Sequence, residues 1–303
     1  MMKTFFYRLF LFIIPVFLFV LVTLAYYFYH RTQVVSDLQQ ISDYECLIMG
    51  DSQMQRIKPE MFDKRTFNFA SSAEHYYFTY QKLKILLSFK DNNIKQVLLG
   101  ISVASFAPVY CTLFNTDYME GQSSLSRYLY FIPLKDRAFT QVKDFWTRSM
   151  FKGIYNGPYW GGLKSSENEN PDTNIINTIF ETHYCVQKGE PRFSSEQLKY
   201  LTLINNLCIK NHVDLILLTL PYHQSYFNKI DSFYIQLFWH NIQTLNHVQC
   251  LNYLDDSISP SWMSDAVHLN IKGADYYSKE INDSINLDSG ANNEEKKGVK
   301  TNN

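Results

Sequence analysis

Hydrophobic and polar positions divide the chain into an N-terminal apolar segment and a longer region in which short apolar runs alternate with amphipathic stretches. The first segment, Leu9–Tyr29, contains no charged residue. As a helix it is about 30 Å long, the thickness of the hydrocarbon core of a bilayer. Lys3 and Arg8 precede it and Arg31 follows it, which favours an N-terminus inside the cell. The pattern predicts a single-pass membrane anchor within residues 1–31.

A cleaved signal peptide is the alternative interpretation of the same segment. Thr23, Leu24 and Ala25 form an acceptable small-residue cleavage site, although the apolar run is longer than the core of a usual signal peptide. Both interpretations export the rest of the chain, so we expect an extracytoplasmic main domain, either periplasmic or on the cell surface.

After residue 40, strand-like apolar runs alternate with stretches of helical periodicity. The apolar runs predict strands over Tyr44–Met49, Thr66–Phe69, Gln96–Ile101, Val213–Leu220 and Val248–Tyr253. The helical spacing predicts helices over Glu74–Phe89, Ser195–Asn211, Gln224–Asn246 (with a break left open) and Ile271–Ile285. Strand followed by helix, repeatedly, predicts an α/β three-layer sandwich with a parallel sheet flanked by helices.

The same pattern divides the exported part into a main domain and a tail. The main domain covers residues 40–287 and is interrupted after its third strand by an insertion at about 104–192. The insertion is expected to carry short helices around Gln122–Met150. Residues 288–303 are polar and have no apolar face to bury, so we predict a disordered tail.

Composition excludes several classes of protein. Hydrophobic residues make up 46% of the chain and charged residues 19%, which is unlike a disordered chain. The formal net charge of -1 gives no basis for a nucleic-acid partner, because phosphate neutralisation requires a basic surface. Aromatic residues reach 16% and could serve a membrane segment, a sugar-binding site or a heavy core.

Five cysteines are expected in a compartment that permits disulfides. Cys46, Cys208 and Cys250 fall within apolar runs and are predicted to be buried thiols. Cys111 and Cys185 could pair with each other, which the sequence leaves open. The chain has no CxxC motif and no Cys/His spacing typical of zinc, so no metal site is predicted.

The first motif that could take part in catalysis is Gly50-Asp51-Ser52, directly after the first predicted strand. Binding sites of open α/β sheets form at the carboxyl ends of strands. A serine in such a turn exposes its hydroxyl beside backbone N–H groups, which can bind a developing oxyanion. Taken alone, this motif could also be an ordinary turn without a chemical role.

The second motif is Asp265-Ala266-Val267-His268, just before the closing helix. Serine needs an adjacent base to act as a nucleophile, and histidine suits that role. An aspartate three residues earlier can accept a hydrogen bond from Nδ1–H, which leaves Nε2 to take the serine proton. Asp-x-x-His alone could be a helix cap, but together the two motifs predict a catalytic Ser52, His268 and Asp265.

With these two motifs the sequence resembles the SGNH (GDSL-type) hydrolases, whose fold is a flavodoxin-like three-layer α/β sandwich. The resemblance covers about Asp43–Thr112 and Gln197–Ile285, with the insertion outside it. It implies that Ser52 is the nucleophile and that Asp265 and His268 form the family's Asp-x-x-His block.

The oxyanion hole departs from the family pattern at two places. The resemblance implies backbone N–H donors at Ser52 and at Ala73, where the family has glycine. An N–H survives that replacement. In the family's Gly-x-Asn-Asp block this chain has Gly100, Ile101, Ser102 and Val103, so Ser102 takes the position of the asparagine donor.

The layout of the chain is similar to one branch of this family. A single anchor and an altered third block resemble the membrane-anchored proteins that handle O-acyl groups on envelope glycans. D-alanyl transfer proteins and the alginate O-acetyltransferase group belong to that branch. The resemblance implies an envelope glycan or acyl ester as substrate and a multi-spanning membrane acyltransferase as partner.

Residues outside these motifs are candidates for substrate contacts. His223 and Tyr222 follow the strongest predicted strand, so they lie at the sheet edge that carries the site. Tyr159 and Trp160 lie among glycine and proline in the insertion, where aromatic faces could contact sugar rings or pack the loop.

These observations predict an extracytoplasmic serine-dependent enzyme that transfers or hydrolyses O-acyl esters on an envelope glycan through an acyl-Ser52 intermediate. The alternatives are a lipase- or thioesterase-like ester hydrolase and a catalytically degenerate, anchored glycan-binding or scaffold protein. No metal or organic cofactor is implied, because the predicted triad supplies both base and nucleophile.

Overall fold

The structure is a computed structural model that describes residues 2–110, 128–132, 154, 172–185 and 193–298. Over 288–298 only the backbone is described. The helices predicted around Gln122–Met150 lie almost entirely outside these ranges.

Within the described residues, five parallel strands form one sheet in the order β2-β1-β3-β4-β5. The strands are β1 Cys46–Met49, β2 Thr66–Asn68, β3 Gln96–Gly100, β4 Asp214–Thr219 and β5 Val248–Asn252. Cys46 lies opposite Thr66 on one side and Gln96 on the other. β1 and β3 are buried along their whole length, as continuous apolar runs in a parallel sheet require.

The helices are α1 Met2–Ile41, α2 Tyr76–Leu86, α3 Thr173–Tyr184, α4 Ser195–Lys210, α5 Gln224–Phe227, α6 Ser232–Gln243 and α7 Ile271–Gly298. The fold is the predicted α/β three-layer sandwich with a parallel sheet, and this prediction is confirmed. On one face of the sheet, Ile48, Leu98 and Ile216 pack in a core with Tyr277 and Ile281 of α7.

The long helix predicted over Gln224–Asn246 is two helices, α5 and α6. Asp231 begins the second one, because its carboxylate accepts a hydrogen bond from the N–H of Phe233 at 2.9 Å. The closing helix α7 passes beyond Ile285, where the hydrophobic pattern ended. That extension contains no proline, so its backbone can continue the helix without burying an apolar face.

The cysteines divide according to their place in the sheet and helices. Cys46 and Cys208 are buried as predicted. The prediction for Cys250 is wrong, because the thiol lies on the edge strand β5 and is exposed. Cys185 is an exposed free thiol, and Cys111 lies outside the described residues.

The chain divides into two compact units. The first contains residues 1–40 and 114–159, of which the structure describes 2–40, 128–132 and 154. In this unit the ring of Tyr27 stacks on that of Tyr130, with centroids 5.5 Å apart. The second unit contains residues 41–113 and 160–303, which include the whole sheet.

Helix α1 is long and apolar enough to cross a membrane. Its most apolar stretch has a mean hydropathy of 2.8, and none of that stretch is buried. A helix that exposes this much apolar surface on all sides requires an apolar environment or a covering partner. The membrane-anchor prediction is therefore supported as far as the length and composition of the helix go.

Candidate active site

The turn after β1 depends on glycine. Gly50 has φ 124°, a backbone conformation that residues with a side chain rarely adopt. A Cβ at this position would also lie 3.1 Å from the N of Gly100 and from Cγ of Met54. The glycine therefore lets the chain turn tightly between two strands, which places Ser52 just beyond the carboxyl end of β1.

A chain of two short hydrogen bonds joins the two sequence motifs. The Oγ of Ser52 lies 2.6 Å from Nε2 of His268. Nδ1 of the same imidazole lies 2.7 Å from Oδ2 of Asp265. The His268 side chain is 19% exposed and that of Asp265 is 23% exposed. Both side chains are therefore largely shielded from water but still accessible to a substrate.

The segment from Asp265 to His268 is held by its own backbone. Oδ1 of Asp265 accepts hydrogen bonds from the N–H groups of Val267 and His268, both at 2.9 Å. Oδ2 is thereby left for the imidazole. The side-chain amide of Gln53 donates to the carbonyl of Val267 at 2.9 Å, so the residue after the serine ties the two motifs together.

The surroundings of Asp265 favour the charged form of its carboxyl. Burial alone would raise the pKa of the Asp265 carboxyl. The hydrogen bond and charge of His268, together with the N–H groups of Val267 and His268, outweigh burial and hold that pKa below its usual value. The group is therefore a carboxylate at neutral pH, which keeps the proton of His268 on Nδ1 and leaves Nε2 to accept one from Ser52.

Two backbone N–H groups near the serine are available to bind an anion. Neither the N–H of Ser52 nor that of Ala73 donates a hydrogen bond to another described residue. Ala73 has φ 52°, the left-handed conformation that favours glycine. Glycine would adopt this conformation without strain, whereas here the Cβ of Ala73 has to be accommodated.

The segment before Ala73 is fastened to the turn that carries Ser52. The N–H of Ser71 donates to the carbonyl of Gly50 at 3.0 Å. The side-chain amide of Asn68 donates to the carbonyls of Met54 and Ile57 at 2.8 and 2.7 Å. These bonds hold the segment that leads to Ala73 against the turn that carries Ser52.

Ser102 lies in a small cluster of hydroxyl groups. Its Oγ accepts a hydrogen bond from the N–H of Ser105 at 3.1 Å and lies 2.9 Å from Oγ of Ser105. The hydroxyl of Tyr76 donates to the carbonyl of Gly100 at 3.1 Å, and that of Tyr222 lies 3.4 Å from the N of Ala104. The place of the asparagine amide is therefore occupied by short polar groups that mainly bond to one another.

The predicted substrate contacts are placed as follows. Tyr222 is 2% exposed, so its ring belongs to the interior. His223 caps α5, where its Nδ1 accepts from the N–H of Ser225 at 3.2 Å, and its own N–H donates to the carbonyl of Ala266 at 3.0 Å. Tyr159 and Trp160 lie outside the described residues.

Three further groups, for which no functional role was predicted, lie near the site. Asp51 accepts from the N–H of Gln53 at 3.0 Å, and burial raises the pKa of its carboxyl. Burial lowers the pKa of the Arg56 guanidinium, and the charge of Asp265 opposes that shift. His183 interacts electrostatically with both His268 and Asp265. Its place in the insertion, far from either motif, left no signal in the sequence.

No group of three or more His, Cys, Asp or Glu side chains is arranged to hold a metal ion in the parts of the chain that the structure describes. The fold and the site together define a three-layer α/β protein with a Ser-His-Asp hydrogen-bonded group at the carboxyl ends of its strands.

Comparison with known proteins gives structural similarity at low sequence identity. No protein-family model matches the chain, and no curated protein sequence matches it either. A candidate platelet activating factor from Streptococcus pneumonia is 12% identical over 88% of this chain and 98% of that chain, with a TM-score of 0.43. A candidate acylhydrolase from Bacteroides fragilis is 14% identical over 80% and 86%, with a TM-score of 0.39.

Proposed function

We propose that the protein is a serine-dependent enzyme that acts on acyl esters. The observation that carries this proposal is the continuous hydrogen-bonded series from Ser52 Oγ through both nitrogens of His268 to the carboxylate of Asp265. A serine, a base and an orienting carboxylate in this geometry form the minimal apparatus of acyl transfer through a covalent intermediate.

The reaction follows from the placement of the groups. Ser52 Oγ attacks the ester carbonyl carbon while its proton passes to Nε2 of His268. The N–H groups of Ser52 and Ala73 donate to the oxyanion that develops on the carbonyl oxygen. The C–O bond to the alcohol then breaks, and His268 returns the proton to the departing oxygen. Water or a hydroxyl group reverses these steps and releases the acyl group from Ser52.

Ser102 is proposed as a third donor to the oxyanion. Its Oγ already accepts from the N–H of Ser105 and shares a bond with the hydroxyl of Ser105. Its hydroxyl also forms a hydrogen bond with that of Tyr222, so Ser102 has to exchange one of these bonds to donate to the oxyanion. The hydroxyl of a serine lies closer to its own backbone than the side-chain amide of an asparagine, so it reaches less far toward the oxyanion.

The finer proposal concerns the acyl acceptor. An extracytoplasmic, membrane-anchored enzyme of this kind would transfer O-acyl groups, of the acetyl type, to or from an envelope glycan. A multi-spanning membrane acyltransferase would supply the acyl group. The support is the apolar helix α1, which would tether the chain to the membrane in which such acyl donors lie. Ester hydrolysis uses the same steps with water as the acceptor.

Replacement of the nucleophile tests the proposal. Ser52→Ala removes the attacking oxygen and is expected to lower kcat/KM for p-nitrophenyl acetate by about 10⁴- to 10⁶-fold. A fluorophosphonate probe should label the wild-type protein at Ser52 and fail to label the variant. Because the replaced hydroxyl is only part of a half-buried group, the circular dichroism spectrum and the unfolding midpoint should remain close to those of the wild type.

The matched control is Ser232→Ala, which removes a hydroxyl from an exposed position at the start of α6. It should leave both labelling and turnover unchanged. Folded wild-type protein that neither reacts with the probe nor cleaves the ester would contradict the enzymatic proposal and favour a binding or scaffold role.

A further inference from the structure

The turn that carries Ser52 and the loop that carries His268 are joined at two points. The Oγ of Ser52 lies 2.6 Å from Nε2 of His268. The side-chain amide nitrogen of the next residue, Gln53, lies 2.9 Å from the carbonyl oxygen of Val267, the residue before His268. Because the residues on each side are adjacent in the chain, the two contacts and the chain between them close a ring. In such a ring the length of one contact constrains the length of the other.

The direction of the hydrogen bond from Gln53 is fixed by its partner. A carbonyl oxygen only accepts hydrogen bonds, so the amide atom that faces the Val267 carbonyl is the nitrogen, and it donates. Gln53 is 7% exposed and the bond is buried, so water does not compete for either group. If the amide were removed, the buried carbonyl would lose its donor, which is a costly loss. The bond is therefore a firm constraint on the distance between Gln53 and Val267.

The backbone of Gln53 is itself held in place. Its N–H donates to Oδ1 of Asp51 at 3.0 Å, and its carbonyl accepts from the N–H of Arg56 at 3.2 Å. Its φ of -65° and ψ of -45° lie in the right-handed helical region, so the turn is unstrained. The amide of Gln53 therefore extends from a fixed backbone, and the same turn fixes the position of Ser52.

The loop from Asp265 to His268 depends on outside contacts for its position. Bonds from two of its N–H groups to Oδ1 of Asp265 hold its shape, but they do not fix its distance from Ser52. Two donors from distant parts of the described chain bind its carbonyls. One is the amide of Gln53, and the other is the N–H of His223, which donates to the carbonyl of Ala266 at 3.0 Å. Since His223 follows β4, it is Gln53 that relates the loop to the turn of the serine.

We infer that Gln53 is a positioning residue for the general base, because through the Val267 carbonyl it holds Nε2 of His268 within reach of the Ser52 proton. This inference rests on the proposed function, in which that proton passes from Oγ to Nε2 and then to the departing alcohol oxygen. Gln53 neither gains nor loses a proton and does not touch the ester. Its effect on the rate comes from geometry, since a displacement of about 1 Å in a reacting group can cost about 100-fold.

Replacement of the amide separates this role from substrate binding. Gln53→Met keeps the length of the side chain in its buried position but removes the donor. Both acylation and deacylation use His268, so kcat for p-nitrophenyl acetate should fall about 10- to 100-fold while KM changes by less than about threefold. Gln53→Glu keeps the shape of the amide and replaces the donating nitrogen by oxygen. It should show the same selective loss, so the test does not depend on the folding of one variant.

Hydrogen exchange measures the position of the loop without reference to activity. In Gln53→Met, amides of the peptide 263–270 should exchange about 2- to 10-fold faster than in the wild type, as expected for the loss of one hydrogen bond. Exchange in the buried strand β3 should stay at the wild-type rate. Gln243→Met, at an exposed position at the end of α6, is the matched control and should change neither kcat nor exchange.

The outcomes distinguish this inference from the proposed function. If the wild type cleaves the ester and the folded Gln53 variants keep its kcat, or change only KM, the inference is overturned while the enzymatic function stands. A lower kcat with unchanged exchange in 263–270 also overturns it, because Gln53 would then not act through the loop. If the wild type does not cleave the ester and the fluorophosphonate does not label Ser52, the proposed function itself fails.

Discussion

At the scale of single residues, His75 combines a structural hydrogen bond with a buried ring. Its Nδ1 accepts from the N–H of Tyr77 at 3.1 Å and so caps the first turn of α2. Its Nε2 is buried and has no hydrogen-bond partner among the residues that the structure describes. Burial lowers the pKa of His75 to about 3, since a charged imidazole would lose its hydration there. The folded protein therefore holds this ring neutral.

Acid should destabilise the protein through this residue. Below about pH 6.5 the unfolded chain binds a proton at His75, while the folded chain does so only near pH 3, so unfolding becomes more favourable as the pH falls. His75→Asn keeps a side-chain acceptor for the cap and removes the titration. The free energy of unfolding of the variant should therefore fall less steeply, by up to about 1.4 kcal/mol per pH unit between pH 6 and pH 4.

Urea unfolding of both proteins at several pH values in that interval measures the two slopes. Parallel slopes would mean that His75 binds protons equally in the folded and unfolded states. The comparison uses the difference in slope, so a constant loss of packing in the variant does not affect it.

Lys82 and Glu74 form an ion pair beneath the segment that carries Ala73. Both side chains are almost completely buried, with exposed fractions of 1% and 0%. Lys82 also donates to the carbonyl of Phe69 at 3.0 Å, and Thr79 donates to Glu74 at 2.7 Å. The pair thus connects α2 to both ends of one candidate oxyanion segment.

Removal of one charge from this pair should be costly. Lys82→Met leaves the Glu74 carboxylate buried without its cation and should lower the free energy of unfolding by about 3–5 kcal/mol. The double variant Lys82→Met, Glu74→Gln has no unpaired charge and should recover a large part of that loss. Chemical denaturation checks both values, and a single variant as stable as the wild type would show that the pair contributes little.

At the scale of elements, the main feature of α1 is its apolar surface. The helix exposes apolar side chains on all sides, with no charged residue from Leu9 to Tyr29. In water such a surface would drive aggregation, whereas lipid solvates it and the helix satisfies its own backbone hydrogen bonds.

A charge in the middle of this helix should weaken its insertion. Phe19→Arg places a guanidinium near the centre of the apolar run, at a cost of about 2.5–3.5 kcal/mol. A larger fraction of the full-length variant should then be released from membranes by alkaline carbonate. Phe19→Leu, which keeps the position apolar, is the matched control. Wild-type protein that carbonate already releases would contradict the membrane span.

The sequence predicted the existence of elements better than their ends. The apolar run Val97–Leu99 was recognisable because a strand buried on both faces is apolar along most of its length. The exposure of Cys250 was not predictable, since an apolar run does not reveal whether its strand lies at the centre or the edge of a sheet. That depends on the order of strands, which tertiary packing determines.

At the scale of the whole molecule, the candidate site depends on crossover connections. Ser52 and His268 are 216 positions apart, yet their side-chain atoms lie 2.6 Å from each other. Ser52 follows β1 and His268 lies between β5 and α7, and the parallel order of the strands brings the corresponding loops to one edge of the sheet.

Because these residues would act as one unit, their losses should not add. Ser52→Ala, His268→Ala and the double variant should each lower kcat/KM for p-nitrophenyl acetate by a similar factor of about 10⁴ to 10⁶. Single-turnover or initial-rate assays on the three proteins test this. A double variant that is slower than the wild type by the product of both single-variant factors would indicate that Ser52 and His268 act independently.

The sequence by itself determined the apolar N-terminal helix, the alternation of strands and helices, and the presence of serine, aspartate and histidine beside strand ends. These features depend on local periodicity and side-chain type. Only the tertiary structure decided that Ser52 and His268 meet, that Ser102 bonds within a hydroxyl cluster, and that His183 pairs with Tyr226. Contacts of that kind join segments far apart in the chain, and they exist only after the sheet and its covering helices have packed.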